Sequence, residues 1–304
     1  MRILHVNDAN GIATTIAHHA PQGYSVDVMP IERVAGRGFL RSVRQRLSDR
    51  QIVKSRLIGY DVLHVHYALH SLWAWGGNKN VVHLHGSDLR LATGQSVMGR
   101  AIRRRMLQAD AVAFSTPDLA DDVLSIRPEA VYVPNPVDDA MSGPLPDDSG
   151  TGIFWFIRFD ALKGVDQGLQ LLDALNTHSS IRVTAIRWGD RFPDRDYITW
   201  IDPMDDRSTL RTVIDQHRLI LGQMLAGALG LSELEALARG KPVVARIQDD
   251  GLEPAPPVVS PQVNAVLDAL AAPEATGSLS RLWAKAHHSP EATWSALQTI
   301  YQNM

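Results

Sequence analysis

Short, continuous apolar runs alternate with helix-length stretches along this chain, and that alternation limits the folds open to it. The runs cover residues 2–7, 61–66, 81–85, 111–115 and 130–133, then 153–158, 181–186, 197–201, 219–223 and 242–245. Between them apolar residues recur at helical spacing, most clearly over 165–175, 207–216 and 231–239. Strands that are apolar throughout are covered on both faces, as in parallel sheets whose crossovers are helices. Strand–helix alternation of this length predicts doubly wound α/β sheets.

The chain has 304 residues, enough for two such sheets with separate cores. Residues 138–150 are polar and rich in Pro, Gly and Asp, and read as the linker. The expected division is 1–140 for the first Rossmann-like domain and 151–285 for the second, followed by a tail helix over 286–304. In that tail Trp294, Leu297 and Tyr301 share a helix face. Two halves joined this way leave a cleft between them, and ligands of such sheets bind beyond the C-terminal ends of the strands. The absence of cysteine excludes disulfides, thiolate metal sites and a cysteine nucleophile. No apolar segment approaches the roughly 20 residues of a membrane span. The run after Met1 stops at Asn7, short of a secretory signal, so a cytoplasmic protein is expected. No Gly-x-Gly-x-x-Gly follows the first strand, which argues against a Rossmann dehydrogenase.

The most informative stretch is Gly230-Leu231-Ser232-Glu233-Leu234-Glu235-Ala236-Leu237-Ala238-Arg239-Gly240-Lys241-Pro242-Val243-Val244-Ala245. A glycine turn opens a short helix, and a Gly-Lys-Pro turn leads into an apolar strand. Helix N-termini carry unpaired N–H groups and the positive end of a dipole, so they hold phosphates. A carboxylate at Glu235, just over one turn in, can accept two hydrogen bonds from a ribose diol. Upstream, Arg158 and Lys163 follow a strand-like run, where two cations can converge on one leaving group. Helix, turn and strand is also ordinary α/β grammar, and surface Arg and Lys are usually solvated.

The segment resembles the nucleotide-sugar motif of the GT4 family, retaining glycosyltransferases of the GT-B fold. Arg158 and Lys163 resemble, in their spacing, the family's diphosphate-gripping arginine and lysine. His83-Leu84-His85-Gly86-Ser87-Asp88-Leu89-Arg90 resembles its His-Gly-Ser-Asp element, and Tyr132-Val133-Pro134-Asn135-Pro136 the segment closing the first domain. The resemblance implies two Rossmann-like domains facing a central cleft, with the tail crossing back to the first. It implies catalytic roles for His85, Arg158 and Lys163, and donor binding by Gly230, Leu231, Ser232 and Glu235. Gly11, Asp88 and Arg90 are its acceptor-side positions, although the family often has two adjacent glycines where this chain has Asn10-Gly11. One position departs more sharply. The family's second glutamate, eight residues before Glu235, is Gly227 here. Glu233 does not replace it, because two helix residues two apart point about 200° from each other.

Net charge is only −3, but residues 33–105 hold fourteen Lys and Arg against three acids. One basic cluster is Arg37, Arg41, Arg44, Arg46, Arg50, Lys54 and Arg56; the other is Arg100, Arg103, Arg104 and Arg105. Phe39, Leu40, Val43, Leu47, Ile52, Val53 and Leu57 interleave the first at helical spacing. A helix over 37–56 built this way packs its stripe on the core, or lies on anionic lipid at about 1 kcal/mol per basic residue. His64 and His66 share a strand face, as do His83 and His85, yet no carboxylate stands at a ligand spacing, so no metal is expected. Asp194-Arg195-Asp196 imitates a metal-binding Asp-x-Asp and reads as a surface turn.

The function expected is metal-independent, retaining transfer of a sugar from a nucleotide diphosphate sugar, used as co-substrate without further cofactor. The acceptor is a small molecule, glycan or lipid-linked species, with peripheral contact at the inner membrane face and no nucleic-acid partner. The alternatives are a nucleotide-sugar epimerase or hydrolase on the same fold, and a non-catalytic nucleotide-sugar-binding protein.

Overall fold

The computed structural model describes residues 1–31, 39–77, 79–93, 96–137, 141, 143–144, 150–204, 206–248 and 251–304, without the side chains of 39–43, 87, 90 and 91. The chain forms two compact units, Met1–Pro136 with Pro290–Met304, and Val137–Ser289. Most of the 138–150 segment, Arg37, and the side chains of Arg41 and Arg90 lie outside the described residues.

The first unit opens with β1 (Arg2–Val6), α1 (Ile12–His18), β2 (Ser25–Met29), α2 (Phe39–Arg56) and β3 (Val62–His66). It continues through β4 (Lys79–Leu84), α3 (Ser87–Thr93), α4 (Val97–Gln108), β5 (Ala111–Phe114), α5 (Ala120–Ile126) and β6 (Val131–Tyr132). The sheet is parallel throughout in the order β2-β1-β3-β4-β5-β6. β3 is buried at every position, those of His64 and His66 included. β2 was not among the expected strands. It sits at the sheet edge, and its Ser-Val-Asp-Val-Met sequence alternates between exposed and less exposed positions.

The second unit holds β7 (Ile153–Trp155), α6 (Val165–His178), β8 (Val183–Ile186), β9 (Ile198–Ile201), α7 (Arg207–Asp215) and β10 (Leu219–Leu221). There follow α8 (Leu231–Ala238), β11 (Val243–Val244), α9 (Val263–Ala271) and α10 (Glu274–His288). Its parallel sheet runs β11-β10-β7-β8-β9. The core gathers Phe154, Trp155, Phe159, Leu172, Ile220 and Leu234, all essentially inaccessible. Burying each such side chain stabilises by about 1.5–3 kcal/mol. Asp206 starts α7 by accepting from the Thr209 N–H at 2.8 Å.

The last helix, α11 (Pro290–Gln302), belongs to the first unit. Trp294 Nε1 donates to the Ile16 carbonyl at 2.8 Å, and Thr293 Oγ1 to that of Pro134 at 2.8 Å. Both units are doubly wound, so each has a place where the strand order reverses: between β1 and β3, and between β7 and β10.

Candidate active site

In the second unit the site residues gather at the β7/β10 reversal. Past Trp155 the chain stays buried through Phe156 and Ile157, and Arg158 is the first side chain to reach solvent. Asp160 holds it, accepting from Arg158 Nε at 2.5 Å while its other oxygen accepts from the Leu162 N–H at 3.0 Å. Lys163 follows, and its Nζ donates to Gln223 Oε1, 2.7 Å away on the loop after β10. Its carbonyl accepts from the Met224 N–H at 3.0 Å, so side chain and backbone tie the two loops together. Gly164 makes that approach possible. It has φ +74°, and a Cβ there would lie 2.8 Å from the Met224 Cβ.

Gln223 is the hub of a network that continues into α8. Its N–H donates to Glu233 Oε1 at 2.8 Å, and Glu233 Oε2 accepts from the Gly230 N–H at 3.0 Å. Gln223 Nε2 donates to the Ala228 carbonyl. Glu233 is therefore a buried bracket between β10 and the start of α8. Leu231 and Ser232 stand in the first turn, where an α-helix leaves its N–H groups unpaired. Glu235 is also buried, and its carboxylate is gripped by Arg207 at the start of α7. Gly227 has φ +77° and bridges in parallel to Ile247, its carbonyl accepting from the Gln248 N–H at 2.7 Å.

In the first unit His85 follows β4 directly. Its Nδ1 lies 3.1 Å from Ser115 Oγ and its Nε2 lies 2.9 Å from His66 Nδ1. The rings of His83 and Tyr67 flank it, with centroids at 4.5 and 5.1 Å. This enclosure lowers its pKa to about 3 and keeps the ring neutral. Asp88 accepts from three backbone N–H groups, those of Ala68 at 2.7 Å and of His85 and Leu89 at 3.1 Å. Burial raises its pKa, and these bonds oppose the shift. Gly11 caps α1 with φ +84°, while Asp8 accepts from the Ala13 and Thr14 N–H groups at 2.9 and 3.2 Å. Arg195 of the Asp194-Arg195-Asp196 turn is exposed and bonds Asp173 through both Nε and Nη2.

Residues 9–140 match the model of Glycosyltransferase Family 4. Over that stretch the chain is similar to that family. Its fold is that of the GT-B enzymes, two Rossmann-like units. Over 99% of its length the chain is similar to sucrose-phosphate synthase from Thermosynechococcus elongatus, at 16% identity, TM-score 0.70 and 98% of that chain. Alr3699/HepE of Anabaena, in complex with UDP and glucose, matches at 13% identity and TM-score 0.70, over the whole of both chains. A trehalose-6-phosphate structure from E. coli bound with UDP-2-fluoro glucose matches at 12% identity and TM-score 0.66, over 99% of both. None of the curated protein sequences matches the chain.

Several participants of this site carry no sequence signal of their own. Gln223 is legible only as the first polar residue after an apolar strand, and Glu233 only by its position three residues after the helix-opening glycine. Nothing in the pattern pairs Arg207 with Glu235.

Proposed function

We propose that this protein is a GT4-like glycosyltransferase that moves a sugar, with retention, from a nucleotide diphosphate sugar of the UDP class to a hydroxyl acceptor, without a metal ion. The observation that carries the reading is the knot of Lys163, Gln223 and the α8 N-terminus at the β7/β10 reversal, with Arg158 held by Asp160 on the loop that leads to Lys163. Two cations and a helix dipole meet where a departing diphosphate gathers charge, the demand a divalent ion otherwise meets. Glu235 would take the ribose diol, with Arg207 shifting to admit it. As the C1–O bond to the diphosphate breaks, the acceptor oxygen bonds C1 from the same face. Its proton passes to a diphosphate oxygen. UDP or UDP-sugar in the Anabaena and E. coli structures supports the choice of base.

The test is calorimetric titration of UDP, GDP, ADP, TDP and CDP into the wild type and the Arg158→Ala/Lys163→Ala double variant. UDP binding that disappears in the double variant is expected; binding that survives it removes the two cations from the site. Gly227 favours a second reading, a protein that binds the nucleotide sugar without transferring it. Consumption of donor only when acceptor is present separates the two.

The acceptor side carries a membrane-facing reading as well. Burial, with Arg104 and Arg50 adding like charge, lowers the pKa of Arg105, which brings basic residues of α2 and α4 into one field. Leu47, Val97 and Met98 are exposed on the same two helices. Anionic lipid suits such a mixture of charge and apolar side chains, and a lipid-linked acceptor would be met there. Among the described residues no helix is long and apolar enough to cross a membrane. Co-sedimentation with vesicles of anionic phospholipid at low salt is expected, and its absence would sink the idea.

A further inference from the structure

Five imidazoles crowd the β1/β3 reversal of the first unit. His5 stands opposite His64, and His66 opposite His83, with His85 two residues beyond. His5, His64, His66 and His83 are inaccessible to solvent. Their nitrogens, with two hydroxyls, make one continuous file. From Ser115 Oγ it runs to His85 Nδ1 at 3.1 Å, and from His85 Nε2 to His66 Nδ1 at 2.9 Å. His66 Nε2 then meets His5 Nδ1 at 2.8 Å, and His5 Nε2 meets the Tyr301 hydroxyl at 3.2 Å. Beyond the phenol come His64 Nδ1 at 2.7 Å and, from His64 Nε2, His83 Nδ1 at 3.1 Å. The file ends at His83 Nε2, a buried nitrogen with no hydrogen-bond partner among the described residues.

A metal centre does not suit this arrangement. His5 and His64 stack with centroids 4.4 Å apart and planes at 14°, so their in-plane lone pairs run side by side. His66 Nε2 and His5 Nδ1, at 2.8 Å, are too close to flank an ion that needs about 2.0–2.1 Å to each nitrogen. A neutral imidazole instead has one N–H and one lone pair, so in such a file each ring donates one way and accepts the other. The Ser115 end settles which way. Ser115 Oγ lies 3.1 Å from the Leu84 carbonyl, which can only accept. The single hydroxyl proton points there, so Ser115 accepts from His85.

We propose that Ser115 sets one proton order through the whole file and so acts as a positioning residue that fixes His85 as its Nδ1–H form. His85 Nδ1–H donates to Ser115, His66 Nδ1–H to His85, and His5 Nδ1–H to His66. Tyr301 donates to His5, His64 Nδ1–H donates to Tyr301, and His83 Nδ1–H to His64. His83 Nε2 then keeps a bare lone pair, whereas the reverse order would strand a buried N–H donor there. That the ordered ring serves sugar transfer rests on the reading of His85 as a site residue; the proton order itself does not.

Long-range proton–nitrogen correlation spectra of the full chain labelled with 15N-histidine test the order without reference to turnover, so the two readings fail separately. All five rings are expected as Nδ1–H, although free histidine in water favours Nε2–H. His217, whose Nδ1 lies 2.6 Å from the Val213 carbonyl, is the internal standard for that form. Ser115→Ala leaves both directions with one stranded donor, so all five rings, His83 included, should show both tautomers, and Ser115→Thr should restore one. Tyr301→Phe cuts the file: His85, His66 and His5 should keep Nδ1–H, while His64 and His83, left with one stranded donor in either direction, should show both tautomers. An Nε2–H signal from any of the five in the wild type overturns the proposal. So does a Ser115→Ala spectrum that changes at His85 alone, or displacement of the His66, His83 and His85 signals by equimolar zinc chloride.

Discussion

Arg158 sits at the point where a strand end turns polar, with its guanidinium half in solvent and paired with Asp160. An exposed pair of this kind contributes little to stability, so its removal should leave the fold alone. If Arg158 neutralises the departing diphosphate, Arg158→Ala should lower kcat/KM by at least about tenfold, as loss of one transition-state donor does. Steady-state kinetics with the melting temperature unchanged checks this, and unaltered turnover would remove Arg158 from the mechanism. Gly227 makes the opposite case. Restoring a glutamate there does not simply recreate the family's sugar-binding carboxylate, because the backbone is left-handed and a Cβ would stand 3.2 Å from the Gln248 Cβ. Gly227→Glu should therefore cost about 1–2 kcal/mol, read as a lower urea midpoint, and bring no gain in turnover. Arg158 and Gly227 were both legible as departures from or matches to a spacing. Neither the left-handed backbone of Gly227 nor the Arg207 grip on Glu235 was, since both depend on chain segments that meet only after folding.

At the scale of elements, α8 shows how a strand and a helix are fastened before any ligand arrives. Glu233 accepts from the N–H groups of Gln223 and Gly230, one beyond β10 and one at the helix start. Glu233→Ala strands both donors, one of them fully buried, at a cost of about 2–4 kcal/mol. The urea midpoint should fall accordingly, and UDP affinity should fall with it because the loop of Gln223 loses its anchor while Lys163 still depends on that side chain. Glu233→Gln, which keeps one acceptor oxygen, should recover part of both. A stability loss with full affinity would separate the bracket from the site. β7 announced itself through an unbroken apolar run, since it is buried at every position, whereas β3, equally buried, carries His64 and His66 among its apolar residues. The expected runs overshot them: 153–158 shrinks to Ile153–Trp155 because Phe156, Ile157 and Phe159 are core residues on a loop, and burial alone does not separate the two. β2 was illegible for the converse reason, its edge position giving it the mixed character of a surface segment.

Over the whole molecule, the buried histidines make stability depend on pH in a direction that can be worked out. Burial lowers the pKa of His5 and His85 to about 3 and that of His70 to about 4, and it holds His64, His66 and His83 well below their ordinary value. These rings are neutral in the fold and titrate near 6.5 once the chain unfolds. Below that pH the unfolded chain binds more protons, so stability falls as pH falls, by about 1.4 kcal/mol per pH unit for each ring that must stay neutral. Asp88 works the other way, its raised pKa favouring the folded state as pH drops, but it is one group against these six and His217, whose pKa burial also lowers. The expected profile is flat between pH 8 and 7 and falls ever more steeply from about 6.5 toward 4. Hydrogen exchange of the β1 and β3 amides, followed at constant ionic strength, reads this locally, because those strands carry His5, His64 and His66. Protection unchanged between pH 7 and 5, after correction for intrinsic exchange, would mean that the rings already share a proton in the folded chain. Such a steep profile is a property no single histidine in the sequence foretells. It arises because the strand order β1-β3-β4 lays three separated His-bearing segments side by side under α11, where each ring excludes water from the next and none can be charged without breaking the file.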